Sequence, residues 1–149
     1  MIALAAASVI VALVAVATAA GIVWRRTTGR VRSAGRSHDA EVVTPAEVGA
    51  PTFGSTVTLL QFSTEYCAPC RSTARILGGI ADERPGVAHV DVDLTHRPDL
   101  AKRFGVLQTP TTLVLDPSGT IRARIGGVAR ADEVRSTIDT IAGSDHVSA

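Results

Sequence analysis

Residues 57–70 read Val-Thr-Leu-Leu-Gln-Phe-Ser-Thr-Glu-Tyr-Cys-Ala-Pro-Cys, and the fold turns on how this stretch is read. Its first half, Val57–Ser63, is a β-branched and aromatic run of strand length, the pattern of a strand buried on both faces. Its second half opens a helix over 67–83, because Pro69 is tolerated in a first turn and Ala74, Leu77, Ile80 and Ala81 form an apolar stripe. Gly78-Gly79 inside that helix each cost about 1 kcal/mol relative to alanine, so a bend or early end is expected there. The handover from strand to helix places Cys67 at a helix N-terminus, where unpaired N–H groups and the helix dipole favour an anion. A free thiol with a pKa of about 8.5 is mostly protonated at neutral pH, and only the thiolate is nucleophilic. Cys70, one turn on and more buried, lies on the same helix face, close enough to bridge. The spacing therefore predicts that a partly exposed Cys67 attacks a disulfide and Cys70 resolves the mixed disulfide. Pro69 fixes the turn and removes a competing N–H donor.

Outward from this stretch the elements alternate. Residues 41–44 read as a short edge strand, Pro45–Val48 as one helical turn, and 49–55 as loop. Beyond the first helix come a strand over 87–94, a short helix over 98–104 stopped by Gly105, and a strand at Thr111–Leu115. Asp116-Pro117-Ser118-Gly119 is a hairpin turn, so the strand over 120–125 is antiparallel to the one before it. A last helix over 131–142 carries Asp132 and Glu133 in its first turn and stops at Gly143. The order β-α-β-α-β-β-α is an α/β fold with a central mixed sheet flanked by helices. Thr109-Pro110 falls directly before a strand, a position where proline is tolerated and where a cis bond is possible.

The chain has 149 residues, 46% hydrophobic and 3% aromatic, with two cysteines. That is enough for about one domain with a packed core. Two cysteines exclude a disulfide-stapled mini-protein and a four-thiolate zinc site. The net charge of +1 carries no polyanion signal, so no nucleic-acid partner is expected. No phosphate loop, paired-carboxylate geometry or Ser/His/Asp set stands out, and no cofactor is expected. Asp91 and Asp93 read as solvated acids, His96 as solvated, and His38 and His146 as lying in flexible segments.

Residues 2–24 carry no charge. As a helix they would run about 34 Å at ~1.5 Å per residue, enough to span a hydrocarbon core of about 30 Å. Trp24 at the end suits a membrane interface. A single transmembrane anchor is the preferred reading. A cleaved signal peptide is the alternative, since Ala17-Thr18-Ala19 has a small-x-small pattern, but nothing basic precedes the run. Arg25, Arg26, Arg30, Arg32 and Arg36 follow it, and the positive-inside rule puts the rest of the chain in the cytoplasm, with the outer face as the alternative. Residues 25–40 read as a basic flexible tether, 41–143 as the folded domain and 144–149 as a flexible tail.

The segments LLQFSTEYCAPC, VAHVDVD, FGVLQTPTTLVL and IGG together resemble the thioredoxin family over about residues 41–143. The resemblance implies a thioredoxin-like fold and a protein-disulfide oxidoreductase with Cys67 as the attacking and Cys70 as the resolving cysteine. It implies that Pro110 is the cis-proline facing the disulfide and that the backbone of Thr109 pairs with a bound substrate chain by β-augmentation. Gly126 matches the glycine flanking the substrate groove. Disulfide-containing proteins are then the substrates, and an upstream thiol reductant is required.

Three positions depart from the family pattern. Tyr66 replaces a tryptophan beside the dithiol. Gln61 replaces a buried aspartate that assists deprotonation of the resolving cysteine, and an amide cannot take a proton, so weaker activation of Cys70 is expected. His89 replaces a lysine that pairs with that aspartate, either as a satisfied core histidine or as a partial substitute for the base. Two rival readings stand beside the enzyme. One is a non-catalytic membrane-bound module that uses the groove to hold a partner. The other is a dithiol binding a soft ion such as Cu(I).

Overall fold

The computed structural model describes residues 2–27, 31–33 and 41–145. Helix α1 (Ile2–Thr27) is followed by β1 (Val31–Ser33), α2 (Pro45–Val48), β2 (Val57–Ser63), α3 (Ala68–Glu83), β3 (Val87–Asp93), α4 (Pro98–Arg103), β4 (Thr111–Leu115), β5 (Ile121–Gly126) and α5 (Ala131–Asp145). One five-stranded sheet runs in the order β1-β5-β4-β2-β3. Strands β2 and β3 are parallel, joined through α3, and the remaining pairs are antiparallel. The α/β mixed sheet flanked by helices is thus present, and β2 is buried along its whole length as its composition requires.

Alternation along the strands fills two cores. On one face Leu60, Phe62, Leu113 and Leu115 meet Leu100 and Phe104 from the α4 region. The Phe62 and Phe104 rings stack with centroids 5.3 Å apart. On the other face Val57, Leu59, Val114 and Ile125 meet Leu77 and Ile80 of α3 and Val134, Ile138 and Ile141 of α5.

Several expectations are corrected. The stretch read as a tether contains β1, which pairs antiparallel with β5 through Val31↔Ile125, Arg32↔Arg124 and Ser33↔Ala123. Edge pairing is made by backbone groups alone, so an Arg- and Ser-rich segment can join without an apolar signal. Residues 28–30 and 34–40 of that stretch, with His38, and the tail from 146, with His146, lie outside the described residues. The strand over 41–44 shrinks to a Val42↔Thr120 bridge, backed by bonds from Val43 N to Gly119 O and from Ile121 N to Glu41 O. Helix α3 runs through Gly78-Gly79 to Glu83, and α5 passes Gly143 to Asp145. Packing of Leu77, Ile80 and Ile141 overrides the weak propensity of those glycines.

At the N-terminus the expected helix is present as α1 and continues through Arg25 and Arg26 to Thr27. Its described side chains, from Val9 to Val23, are exposed throughout. Among the described residues no helix is long and apolar enough to cross a membrane. The described side chains of α1 account for only about 22 Å of helix at ~1.5 Å per residue.

Candidate active site

Cys67 caps α3. It has extended backbone angles (φ −110°, ψ 93°), and its sulfur accepts the backbone N–H of Cys70 at 3.2 Å. Pro69 occupies the first turn, where the absence of an N–H costs no helical bond. The two sulfurs are bonded to each other, with a Cα–Cα distance of 5.2 Å. An amide N–H aimed at the sulfur, together with the helix dipole, is the arrangement that favours a thiolate on Cys67 once the bond is reduced. Cys67 was expected to be partly exposed. It is 7% exposed against 3% for Cys70, because in the disulfide its sulfur is folded against the first turn. Tyr66 beside it is 91% exposed.

The Thr109-Pro110 bond is cis. Its loop is tied to the segment before Cys67 by a 3.3 Å contact between the Thr64 and Thr109 hydroxyls. It is held to the sheet by Gly127 N donating to Pro110 O at 2.8 Å and Thr111 Oγ1 donating to Gln108 O at 2.8 Å. Gly126 lies beside this loop, where a Cβ would come 2.7 Å from Gln108 Nε2. A side chain at this position would displace the exposed end of Gln108.

Gln61 is fully buried under the dithiol. Its Nε2 donates to the backbone oxygen of Cys70 at 3.1 Å, and its Oε1 faces His89 Nε2 at 3.3 Å. Burial holds the His89 pKa below the ordinary histidine range, with the charge of Asp91 opposing the shift, so the ring is neutral and its Nε2–H donates to Gln61. His89 is therefore a satisfied, half-buried partner of Gln61. The amide brackets the Cys70 backbone, and its bond to that residue is made at the carbonyl oxygen.

Asp91 is exposed, as expected of a solvated acid, but sequence reasoning missed Ser63 and the bond that it makes to this carboxylate. Ser63 Oγ donates to Asp91 Oδ1 at 2.6 Å. Both line a cleft of about 330 Å³ that also includes Cys67, Cys70 and Arg71. The pairing of β2 with β3, which sets Gln61 opposite Asp91, brings them together, and no local spacing announces it. Asp93 instead accepts from the backbone and hydroxyl of Thr95, which hold its pKa below the usual carboxylate value.

A dithiol at the amino end of a helix, next to a cis-proline loop on a mixed sheet, defines a thiol–disulfide exchange site of the thioredoxin-like class. The comparisons with known proteins agree. The thioredoxin family model matches residues 47–140. Thioredoxin H5 of Oryza sativa subsp. japonica is 32% identical over 74 residues, which are 50% of this chain and 54% of that protein. Thioredoxin H-type of Oryza sativa subsp. indica is 27% identical over 111 residues, 74% of this chain and 84% of that protein. The crystal structure of a thioredoxin from Nicotiana alata superposes with a TM-score of 0.51 at 25% identity, covering 58% of this chain and 74% of that one. The chain belongs to the thioredoxin family, whose members are disulfide oxidoreductases, and it carries the family's Cys-x-x-Cys pair.

Proposed function

We propose that the protein is a membrane-tethered thiol–disulfide oxidoreductase acting on protein disulfides through Cys67 and Cys70. The observation that carries the chemistry is the Cys70 N–H directed at Cys67 Sγ at the start of α3. In the reducing direction the Cys67 thiolate attacks one sulfur of a substrate disulfide and releases the other as a thiol. Cys70 then attacks Cys67 Sγ, freeing the second substrate thiol and leaving the Cys67–Cys70 disulfide for an upstream thiol reductant. The backbone of Thr109 supplies an edge for an extended substrate segment, with Tyr66 and Gly126 flanking it.

The tether rests on α1, a 26-residue helix whose described apolar side chains, within 9–23, stand exposed, Val11 at 69% and Val16 at 67% among them. An exposed apolar surface of that kind calls for a lipid or protein cover. The arginines after it favour a cytoplasmic face for the redox domain.

A second reading, a non-catalytic binding module, is favoured by Gln61, which cannot accept a proton. Turnover of insulin disulfides by the full chain separates the two. The enzyme reading expects activity that Cys67→Ser abolishes, and activity surviving that change removes it. Labelling of a reduced Cys67 in intact cells by a membrane-impermeant thiol reagent tests the orientation. Protection from the reagent is the expected result, and labelling reverses the assignment.

A further inference from the structure

The cleft beside the dithiol poses a specific problem. When Cys70 attacks Cys67 Sγ, its thiol proton must leave. Gln61 lies against Cys70, but it is an amide that already donates to the Cys70 carbonyl. His89 is neutral and committed to Gln61 through Nε2. On the β3 side, however, Cys70 and Asp91 line the same cleft. The Asp91 carboxylate is held there by Ser63, itself only 9% exposed. Among the described residues the second carboxylate oxygen of Asp91 accepts no hydrogen bond from the protein.

We propose that Asp91, oriented by Ser63, is the proton acceptor for Cys70, doing from the neighbouring strand what Gln61 cannot do from beneath. The inference rests on the oxidoreductase reading. In the step, the Cys70 S–H proton passes to an Asp91 oxygen, directly or through one water. The Cys70 thiolate attacks Cys67 Sγ, and the Cys67–S–S–substrate bond breaks as the Cys67–Cys70 bond forms. The departing substrate thiolate takes up a proton, so Asp91 returns to its carboxylate and no other reactant is needed. The charged groups around Asp91 are Arg71 from α3, Glu65 from the loop before it and Asp93 from its own strand, with the neutral, titratable His89 also on that strand. Arg71 is the cation that lines the cleft together with Cys70 and Asp91.

The test uses the reduced full chain in detergent and dithiobis-nitrobenzoate as the disulfide. The first release of thionitrobenzoate reports attack by Cys67, and the second reports attack by Cys70. Asp91→Asn should slow the second phase about tenfold or more at pH 7 and leave the first within about twofold. The rise of the second phase with pH should move toward the free thiol value of about 8.5. Ser63→Ala keeps the carboxylate and removes its tether, so it should give the same shift at smaller size. Second-phase pH profiles that coincide for wild type and both variants overturn the assignment, as does equal slowing of both phases by Asp91→Asn. A wild-type chain that gives both phases yet never reduces insulin disulfides counts against the oxidoreductase reading instead.

Discussion

The two faces of the sheet are filled by different chemistry. The α4 face is mostly apolar, with Leu60, Phe62, Leu113, Leu115 and Phe104 all at 1% exposure or less, and its buried hydroxyls are satisfied, Thr58 accepting from Gly54 N and Thr111 donating to Gln108 O. The α3 face begins the same way, with Val57, Leu59, Leu77 and Ile80. Toward the dithiol it changes to buried Gln61 and Ser63, half-buried His89 and, at the rim, exposed Asp91, and it includes Thr112, whose buried hydroxyl has no partner among the described residues. Buried polar groups add little net stability even when paired and cost more when they are not. The α4 face therefore holds the domain together, and the upper α3 face spends part of that stability on a polar bed beneath reactive sulfurs.

The comparison breaks most visibly at Phe62. Its ring is fully buried and stacked on Phe104, so Phe62→Ala should lower the unfolding free energy by about 3–5 kcal/mol, read from urea unfolding. The polar bed gives a smaller loss. Gln61→Leu fills the same space but removes the second hydrogen bond to the Cys70 carbonyl and strands the His89 N–H, which should cost about 1–3 kcal/mol in the same experiment. A Gln61→Leu loss that equals or exceeds the Phe62→Ala loss would reverse the assignment of the two faces.

Smaller again is the brace that fastens the segment around α2 to the α4 side of the molecule. Arg103 bonds Glu41 and Glu47, and its guanidinium lies 5.1 Å from the Phe104 ring centroid. The side chain is 44% exposed, so water and salt screen the pair. Arg103→Gln should cost about 0.2–1 kcal/mol, with less of that loss seen at high ionic strength.

How much of this was legible in the sequence follows the same division. The apolar run of β2, the Pro69 start of α3 and the Asp116–Gly119 turn were readable because each is a local pattern with a local cause. The turn is made by Asp116 Oδ1 accepting from the backbone of Ser118 and Thr120. Strand β1 was not readable, since a backbone-only edge leaves no apolar period. The Ser63–Asp91 pair was not readable either, because 28 residues separate the partners and only the parallel β2–β3 pairing joins them. The dithiol was legible as a motif. Its polar bed was legible only as departures at Gln61 and His89, whose bond to each other belongs to the folded chain.

The smallest expected effect is confined to acid and isolates His89. Burial lowers its pKa in the folded protein below the ordinary 6.5, while Asp91 pulls the other way. Above the unfolded value the ring is neutral in both states and contributes no pH dependence. As pH falls through about 6.5 the unfolded chain takes up a proton that the folded chain refuses, so stability declines from there down to the folded pKa and then levels off. Replacing the ring by an amide, as in His89→Gln, removes the titration and keeps a donor for Gln61. The urea midpoint of wild type should therefore fall more steeply between pH 7 and mildly acidic pH than that of His89→Gln, with the two slopes matching above neutrality. Parallel slopes throughout would mean that the polar bed admits a charged imidazolium. The contrast between the two faces would then be one of composition, with no electrostatic cost attached to the polar end.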